Sequence, residues 1–489
     1  MKQPGSAVIG LEIHVQLATA SKLFCACSTD YIGAVPNTNV CPVCLGQPGS
    51  LPVINARVVE YAVRTALALG ARVGHFTRFH RKNYFYPDLP KAYQISQYDL
   101  PLAEGGSLPI GEGKERRAIP ITRLHLEEDA GKLVHSAADG RLGHSEYSLV
   151  DYNRGGVPLM EIVSEPEIAT PAEAREYVAR LRQLVRYLGV SDGDMEKGSL
   201  RVDANVSLRR EDGSLGTKVE VKNMNSLRAL ERALEYEIGR QAEVIATGEQ
   251  VRQETRHWDD GNGVTCGMRG KEEAHDYRYF PDPDLPPLIL PSGFVEEQLR
   301  LMPEMPWVLK ERFCTDWGLS LEDASVLTEW PGLARYMEGC VRCGANPLRA
   351  ANWIRTETLR VLNERKIPIE KFPVSPEDFT ALLAKVEKGD LSTTLAKKVF
   401  DLMVSEGMPL PAAIGRLGAN SGKLEGPALI AIIERIMERE TGTIEEIRSG
   451  KDPKGKKRGF LCGQVMREAR GQADPGEVAK MIGEILDNQ

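Results

Sequence analysis

The tightest constraint on this chain is a recurring alternation in which every second residue is apolar and the residues between are acids, amides and cations. Val8–Leu17 (VIGLEIHVQL), Ile119–Lys132 (IPITRLHLEEDAGK), Ser199–Arg209 (SLRVDANVSLR) and Thr217–Asn223 (TKVEVKN) all follow it. A period of two is that of a strand with one face buried. The chain is therefore expected to build a sheet with one apolar face and one face equipped for chemistry. Glu12, His14 and Gln16 share a side in the first stretch, Arg201, Asp203 and Asn205 in the third, and Lys218, Glu220 and Lys222 in the fourth. A carboxylate and an imidazole on one strand suit a divalent cation, and equally a half-buried hydrogen-bonded pair.

Glu127-Glu128-Asp129 ends the second stretch, and adjacent acids repel unless a cation or basic group offsets them. Asp151–Pro166 (DYNRGGVPLMEIVSEP) adds Glu161 and Glu165 around an apolar Ile-Val. Drawn together, Glu12, His14, Glu128, Glu161 and Asp203 would form a Mg²⁺ site, with Lys218 and Lys222 available for phosphates. That is the equipment of ATP-dependent phosphoryl transfer; a set of solvated sheet faces carries the same pattern. Neither a Walker A motif nor GxGxxG is present, so no P-loop or Rossmann nucleotide site is indicated.

Between the first two stretches lie Cys25-x-Cys27 and Cys41-Pro-Val-Cys44, separated by a Gly/Pro/Asn-rich loop. Two closely spaced thiol pairs suit a tetrahedral structural Zn²⁺, with two disulfides or four unrelated thiols as the alternatives. Cys340-Val-Arg-Cys343 copies one such pair without a second nearby, and no metal is expected there. Arg78–Asp99 interleaves Tyr84, Phe85, Tyr86, Tyr93 and Tyr98 with Arg81, Lys82 and Lys91. This suits stacked bases and phosphates, and also a plain loop packed on a sheet.

With 489 residues, 27% of them charged, the chain is too long for one core and reads as a soluble globular protein of two or three domains. No apolar run approaches the roughly 18 residues that span a bilayer. The N-terminal residues lack a secretory or transit pattern, and an odd cysteine count that includes a zinc set fits a reducing cytoplasm. A net charge of −7 argues against a generally basic nucleic-acid binder but leaves room for a local patch. Asn55–Gly70 and Thr170–Leu188 have helical spacing, the latter with a Thr cap, Pro and Glu173 as a capping box. Prolines in Pro281–Pro291 place a domain boundary there. Helical patterns follow, including Ala350–Arg365, Leu391–Glu406 and Glu425–Glu440, then a basic loop, Lys451–Arg458, and two more helices.

Several long segments together resemble a known family: GLEIHVQL, CPVCLGQPGSLPVIN, RKNYFYPDLPKAYQISQYD, HLEEDAGK, DYNRGGVPLMEIVSEPEI, GSLRVDANVSLR, KVEVKNMNSL and DYRYFPDPDLPPL. The family is GatB, one of the component chains of the bacterial tRNA-dependent amidotransferases that act on misacylated Glu-tRNA(Gln) and Asp-tRNA(Asn). The likeness runs from residue 8 to about 290 and continues through STTLAKKVFDLM and GFLCGQVMREARGQADP. It implies an α+β fold: a glutamine-synthetase-like antiparallel-sheet cradle (1–292), an all-α helical domain (293–407) and a tRNA-binding helical tail (408–489).

The resemblance also implies an activity, that of a carbon–nitrogen ligase. ATP with Mg²⁺ phosphorylates the side-chain carboxylate, and ammonia displaces the phosphate. That ammonia comes from glutamine through a separate glutamine-amidase chain. A small third chain completes a heterotrimer, and the partners extend to the non-discriminating aminoacyl-tRNA synthetase. By residue, the resemblance implies catalytic roles for Glu12, His14, Glu128 and Asp203, with Glu161 joining them around the metal, and a structural Zn²⁺ on Cys25, Cys27, Cys41 and Cys44. Strand parity, by contrast, groups Glu127 rather than Glu128 with Arg123 and His125. Substrate contacts are expected from Lys82, Tyr84, Lys91, Lys218 and Lys222, with Lys82 and Lys91 at the channel mouth or acceptor end. The tRNA body is assigned to Lys454, Lys456, Lys457 and Arg458.

Overall fold

The computed structural model describes residues 5–136, 145–268, 277–417, 426–449, 455–469, 473 and 475–487. The chain forms two compact units, Met1–Pro306 and Trp307–Gln489.

Among the described residues, the first unit is built on a sheet of thirteen strands. Its main path uses β1 (Ala7–Gln16), β2 (His80–Asn83), β3 (Tyr93–Ser96), β4 (Arg117–Glu128), β5 (Pro158–Ser164), β6 (Leu200–Leu208), β7 (Val219–Lys222), β8 (Thr255–Asp259), β9 (Val264–Gly267) and β10 (Phe280–Pro281). The spatial order is β9-β8-β7-β6-β1-β5-β4-β3-β2-β10. Neighbours on this path are antiparallel except β7 and β8, which run parallel. The alternating segments thus all become strands, and the first of them lies in the middle of the sheet.

One face is closed by the apolar half of the alternation. Leu11, Ile13 and Val15 of β1 and Val202, Ala204 and Val206 of β6 are buried. Helices α1 (Ala56–Ala68), α2 (Pro171–Tyr187) and α3 (Leu227–Ala246) pack behind the sheet, α1 against β4 and α3 against β6. Their ends follow from local chemistry. Asn55 accepts from the Arg57 N–H, and Gly70 stops α1 with a left-handed backbone. Thr170 accepts from the Glu173 N–H at 3.2 Å while the Glu173 carboxylate takes the Ala169 N–H at 2.8 Å, which is the expected capping box shifted by one residue.

The proline-rich segment belongs to this unit rather than marking its end. Phe280 and Pro281 pair with Arg81 and His80, and Leu288 and Ile289 pair with Thr77 and Phe76. Prolines fit there because a sheet edge leaves N–H positions unpaired. Helix α4 (Phe294–Arg300) then packs on α1, where Arg64 donates to Gln298 at 2.7 Å. The compact unit accordingly runs on to Pro306 instead of closing at 292.

The second unit is helical throughout its described residues. The Ala350–Arg365 pattern is broken by a π-turn at Ile354–Thr358. Past residue 426, helices α5 (Pro427–Arg439), α6 (Thr441–Arg448), α7 (Lys456–Glu468) and α8 (Pro475–Asp487) share a core that includes Leu429, Ile433, Leu461, Val465 and Ile482. No described helix is long and apolar enough to cross a membrane.

Candidate active site and cysteine cluster

The open face of the sheet collects the polar half of the alternation, and strand register decides which side chains meet. His14 lies opposite Glu161 on one side and Arg201 on the other; Glu161 lies opposite His125; Glu12 lies opposite Asp203. Directly opposed residues in antiparallel strands project from the same face. His14 Nε2 is therefore 3.6 Å from a Glu127 oxygen and 3.5 Å from Glu161, and His125 Nε2 is 3.1 Å from Glu161.

Among the described residues, His14, Glu127 and Glu161 form a group whose ligand atoms all lie within 4.8 Å of one another. Burial works against a charged imidazole at His14. The hydrogen bond to Glu161 and the charges of Glu127, Glu161 and Asp203 outweigh it and hold the ring proton up to about 9. Burial also opposes ionised Glu161, but His125 and His14 hold its carboxyl well below the usual range. A site that favours a proton on His14 between two carboxylates favours other cations there too, and oxygen-rich donors suit a hard ion such as Mg²⁺.

Beside this group runs a second row. Glu12 accepts from the Asn205 amide at 3.0 Å. Burial, then Glu161, Glu220 and Asp203, raise its proton affinity against the pull of Lys222. Lys222 is 2.6 Å from Asp203 and 2.8 Å from Glu220, so this cation balances two acids. Glu12 and Asp203 thus flank the three-ligand group without joining it.

Aromatic residues wall one side. Tyr98 and Tyr279 stack at 4.1 Å, and Lys82 Nζ sits 4.8 Å from the Tyr277 ring and 5.9 Å from that of Tyr84. Burial, followed by Glu127 and Glu161, makes the Tyr279 hydroxyl a weaker acid, which puts this residue within the field of the carboxylates.

The reverse side carries a different chemistry. Cys25, Cys27, Cys41 and Cys44 bring their four sulfurs within 4.8 Å of one another, and all are free thiols rather than disulfides. The Cys41 N–H points at Cys44 Sγ (3.2 Å), and the fully buried Lys22 ammonium is 3.7 Å from the same sulfur. The hydrogen bond with Cys25, the Cys41 N–H and the Lys22 charge all favour a thiolate at Cys44. Four soft donors around one point, one already thiolate-like, fit Zn²⁺. Gly46 closes this turn with φ +66°, and a Cβ there would stand 2.3 Å from the Lys91 stem. A cavity of about 290 Å³ lies alongside, lined by Lys22, Cys25, Cys44, Arg81, Lys91 and Glu128.

The GatB/GatE catalytic domain family matches residues 7–296, and the GatB domain family matches residues 335–486. The B subunit of the aspartyl/glutamyl-tRNA(Asn/Gln) amidotransferase of Carboxydothermus hydrogenoformans is 49% identical over 485 residues, covering 98% of both chains. The corresponding proteins of Thermodesulfovibrio yellowstonii and Moorella thermoacetica are 48% and 50% identical, each over 98% of this chain and 99% of the relative. The chain belongs to the GatB family.

For a GatB chain, one expected ligand needs correction. Glu128 projects from the reverse face, where it pairs with Lys91 and accepts the Ile95 N–H at 2.9 Å; Glu127 stands in its place beside His14. The cause is parity: Arg123, His125, Glu127 and Asp129 share one face and Glu128 lies between them. Lys91 moves with its partner and lies beside the cysteines rather than on the acid face. Lys82 and Tyr84 stay with the aromatic wall, Lys222 is engaged by acids, and Lys218 is exposed just before β7. His125, Arg201, Asn205, Tyr277 and Tyr279 complete the face; the first three share its strand parity but carried no assigned site role, and the two tyrosines were not named. For His125, Arg201 and Asn205 the signal was available as strand parity; the two tyrosines lie more than a hundred residues from Glu127 and Glu161 in sequence.

In the tail, Lys456, Lys457 and Arg458 open helix α7 instead of continuing a loop, and Lys457 pairs with Glu446. Lys454 falls outside the described residues.

Proposed function

We propose that this chain is the tRNA-binding, ATP-using component of an amidotransferase converting Glu-tRNA(Gln), Asp-tRNA(Asn) or both to the amidated form. The observation that carries the reading is the His14–Glu127–Glu161 group on an open sheet face, flanked by Glu12–Asp203–Lys222, in a chain 49% identical to a GatB relative over nearly its whole length. A carboxylate is a poor electrophile. Its oxygen attacks the γ-phosphorus of ATP, the bond to ADP breaks, and the resulting acyl phosphate has a good leaving group. Ammonia then attacks the acyl carbon, phosphate departs, and the nitrogen loses a proton to give the amide.

His14, Glu127 and Glu161 would hold Mg²⁺, which when bound would supply charge neutralisation for the phosphates. The remaining work falls to the chain's own groups. Lys222 lies between Asp203 and Glu220 and offsets their mutual repulsion, and Asn205 fixes Glu12. Lys82 and the tyrosine wall receive the aminoacyl end of the tRNA. The tail helices hold the tRNA body through a local basic patch, which reconciles tRNA binding with a net charge of −7. Cys25, Cys27, Cys41 and Cys44 would hold Zn²⁺, which would cross-link the loop behind the sheet. A glutamine-amidase partner delivers ammonia, a small third chain completes the assembly, and the complex works in the cytoplasm.

The test uses the assembled heterotrimer with [γ-³²P]ATP, misacylated tRNA and hydroxylamine to trap the acyl phosphate. Expected is tRNA-dependent ADP formation with hydroxamate, reduced about 10²-fold or more in Asp203→Asn. ATP turnover indifferent to aminoacyl-tRNA would overturn the reading.

A further inference from the structure

We propose that Arg201 is a catalytic residue of this face, donating its guanidinium to the phosphoryl group during transfer; the proposal rests on the reading above. Arg201 lies on β6 directly opposite His14, two residues before Asp203 on the same side of the strand. It is the cation that borders the three-ligand group on the flank away from Glu161, since His14 separates the two in register. Its Nη2 is 3.0 Å from Asp129, a carboxylate only 3% exposed that also takes the Gln16 amide at 2.8 Å and has Arg154 Nε 3.7 Å away. Asp129 thus has two cations beside it, and it engages only one end of the Arg201 guanidinium.

What remains of Arg201 is spare donor capacity. A guanidinium has five N–H groups in a rigid plane. The Nε–H of Arg201 is buried with no acceptor among the described residues, although the side chain as a whole is 37% exposed. An orphaned N–H next to a metal-competent group, on a side chain that solvent still reaches, is an arrangement awaiting an anion. The anion of this reaction is the phosphoryl group leaving ADP for the substrate carboxylate, whose oxygens carry charge that a planar donor fork meets in pairs. Asp129 clamps the other end and fixes the plane before substrate arrives, so no reorganisation is needed during transfer.

The experiment compares wild type, Arg201→Gln and Arg201→Lys in the assembled complex by two readouts. The first is acyl-phosphate formation, trapped as hydroxamate. The second is the affinity for MgADP alone against MgADP with aluminium fluoride, a planar mimic of the phosphoryl group in flight. Expected for Arg201→Gln is a fall of about 10²-fold or more in trapping rate. Affinity for the fluoride complex should drop by a similar factor, and that for MgADP by less than about threefold. Arg201→Lys should recover part of both losses, since it restores charge without the fork. Unchanged fluoride affinity in Arg201→Gln would overturn the proposal. So would equal losses for MgADP and the fluoride complex with a lowered melting temperature, which would assign Arg201 to structure alone. If wild type itself forms no acyl phosphate, it is the underlying function that fails.

Discussion

The two sides of the sheet carry opposite kinds of donor, and two neighbouring residues of one strand serve one side each. The open face gathers imidazoles and carboxylates from β1, β4 and β5, hard donors around His14. The reverse side gathers four thiols from a loop, soft donors beside a buried lysine. Glu127 and Glu128 are neighbours in the chain, yet one serves each side. The lesson is that a strand sorts ligands by parity before it sorts them by type.

That contrast is breakable, starting where the effect is largest. Replacing Cys41 and Cys44 together by Ser removes half the soft set. Structural zinc sites contribute on the order of 10 kcal/mol, so zinc content should fall to background and the first unit's melting transition should collapse, read by elemental analysis and calorimetry. Retained zinc with an unchanged transition would mean that the cysteines hold no structural ion.

A sharper cut exchanges the two adjacent acids. Glu127→Gln should weaken Mn²⁺ binding about a hundredfold, measured by electron paramagnetic resonance, with zinc untouched. Glu128→Gln should leave Mn²⁺ affinity within about twofold and instead cost about 3 kcal/mol of stability, because Lys91 is left buried without its carboxylate. The reverse result would mean that the parity assignment is wrong.

Lys22→Met keeps the stem and removes the charge beside Cys44. Zinc loss to a chelator should accelerate about tenfold, with Mn²⁺ affinity unaltered; identical chelation kinetics would leave Lys22 with a packing role only. The smallest effect belongs to the tail. Lys457→Ala removes an exposed pair with Glu446, worth at most about 1 kcal/mol of stability. Its tRNA affinity should drop only a few-fold, with a shallower dependence on salt.

Much of the sheet was legible because alternation is a physical record of half-burial. β1, β4, β6 and β7 stood out by it, and so did the polar sets that each contributes. β5 did not: Pro158–Met160 and Glu161–Ile162 are all buried, so Glu161 sits in a run without period. The choice between Glu127 and Glu128 was decidable only from β4's parity, while family likeness pointed to the wrong neighbour. The prolines of 281–291 read as a boundary because a breaker and an edge strand use the same residues. Lys456–Arg458 read as a loop because charge and a preceding Gly outweighed helix propensity in that window, whereas the helix begins at Lys456. Tyr84 and Tyr98 stood out in their aromatic stretch, but their partners Tyr277 and Tyr279 did not, because packing across distant segments leaves no local period.

The central position of β1 has a consequence for how the protein comes into being. This strand leaves the ribosome well ahead of its hydrogen-bonding partners β5 and β6, which are made more than a hundred residues later. Of the helices α1, α2 and α3 that pack behind the sheet, only α1 is made before β5, and such non-local pairings are slow to form. Biosynthesis therefore passes through a long stage in which a sticky, edge-competent strand is present and the His14 pocket does not exist. A truncated product ending before β6 would be an aggregation risk that lacks the completed acid face.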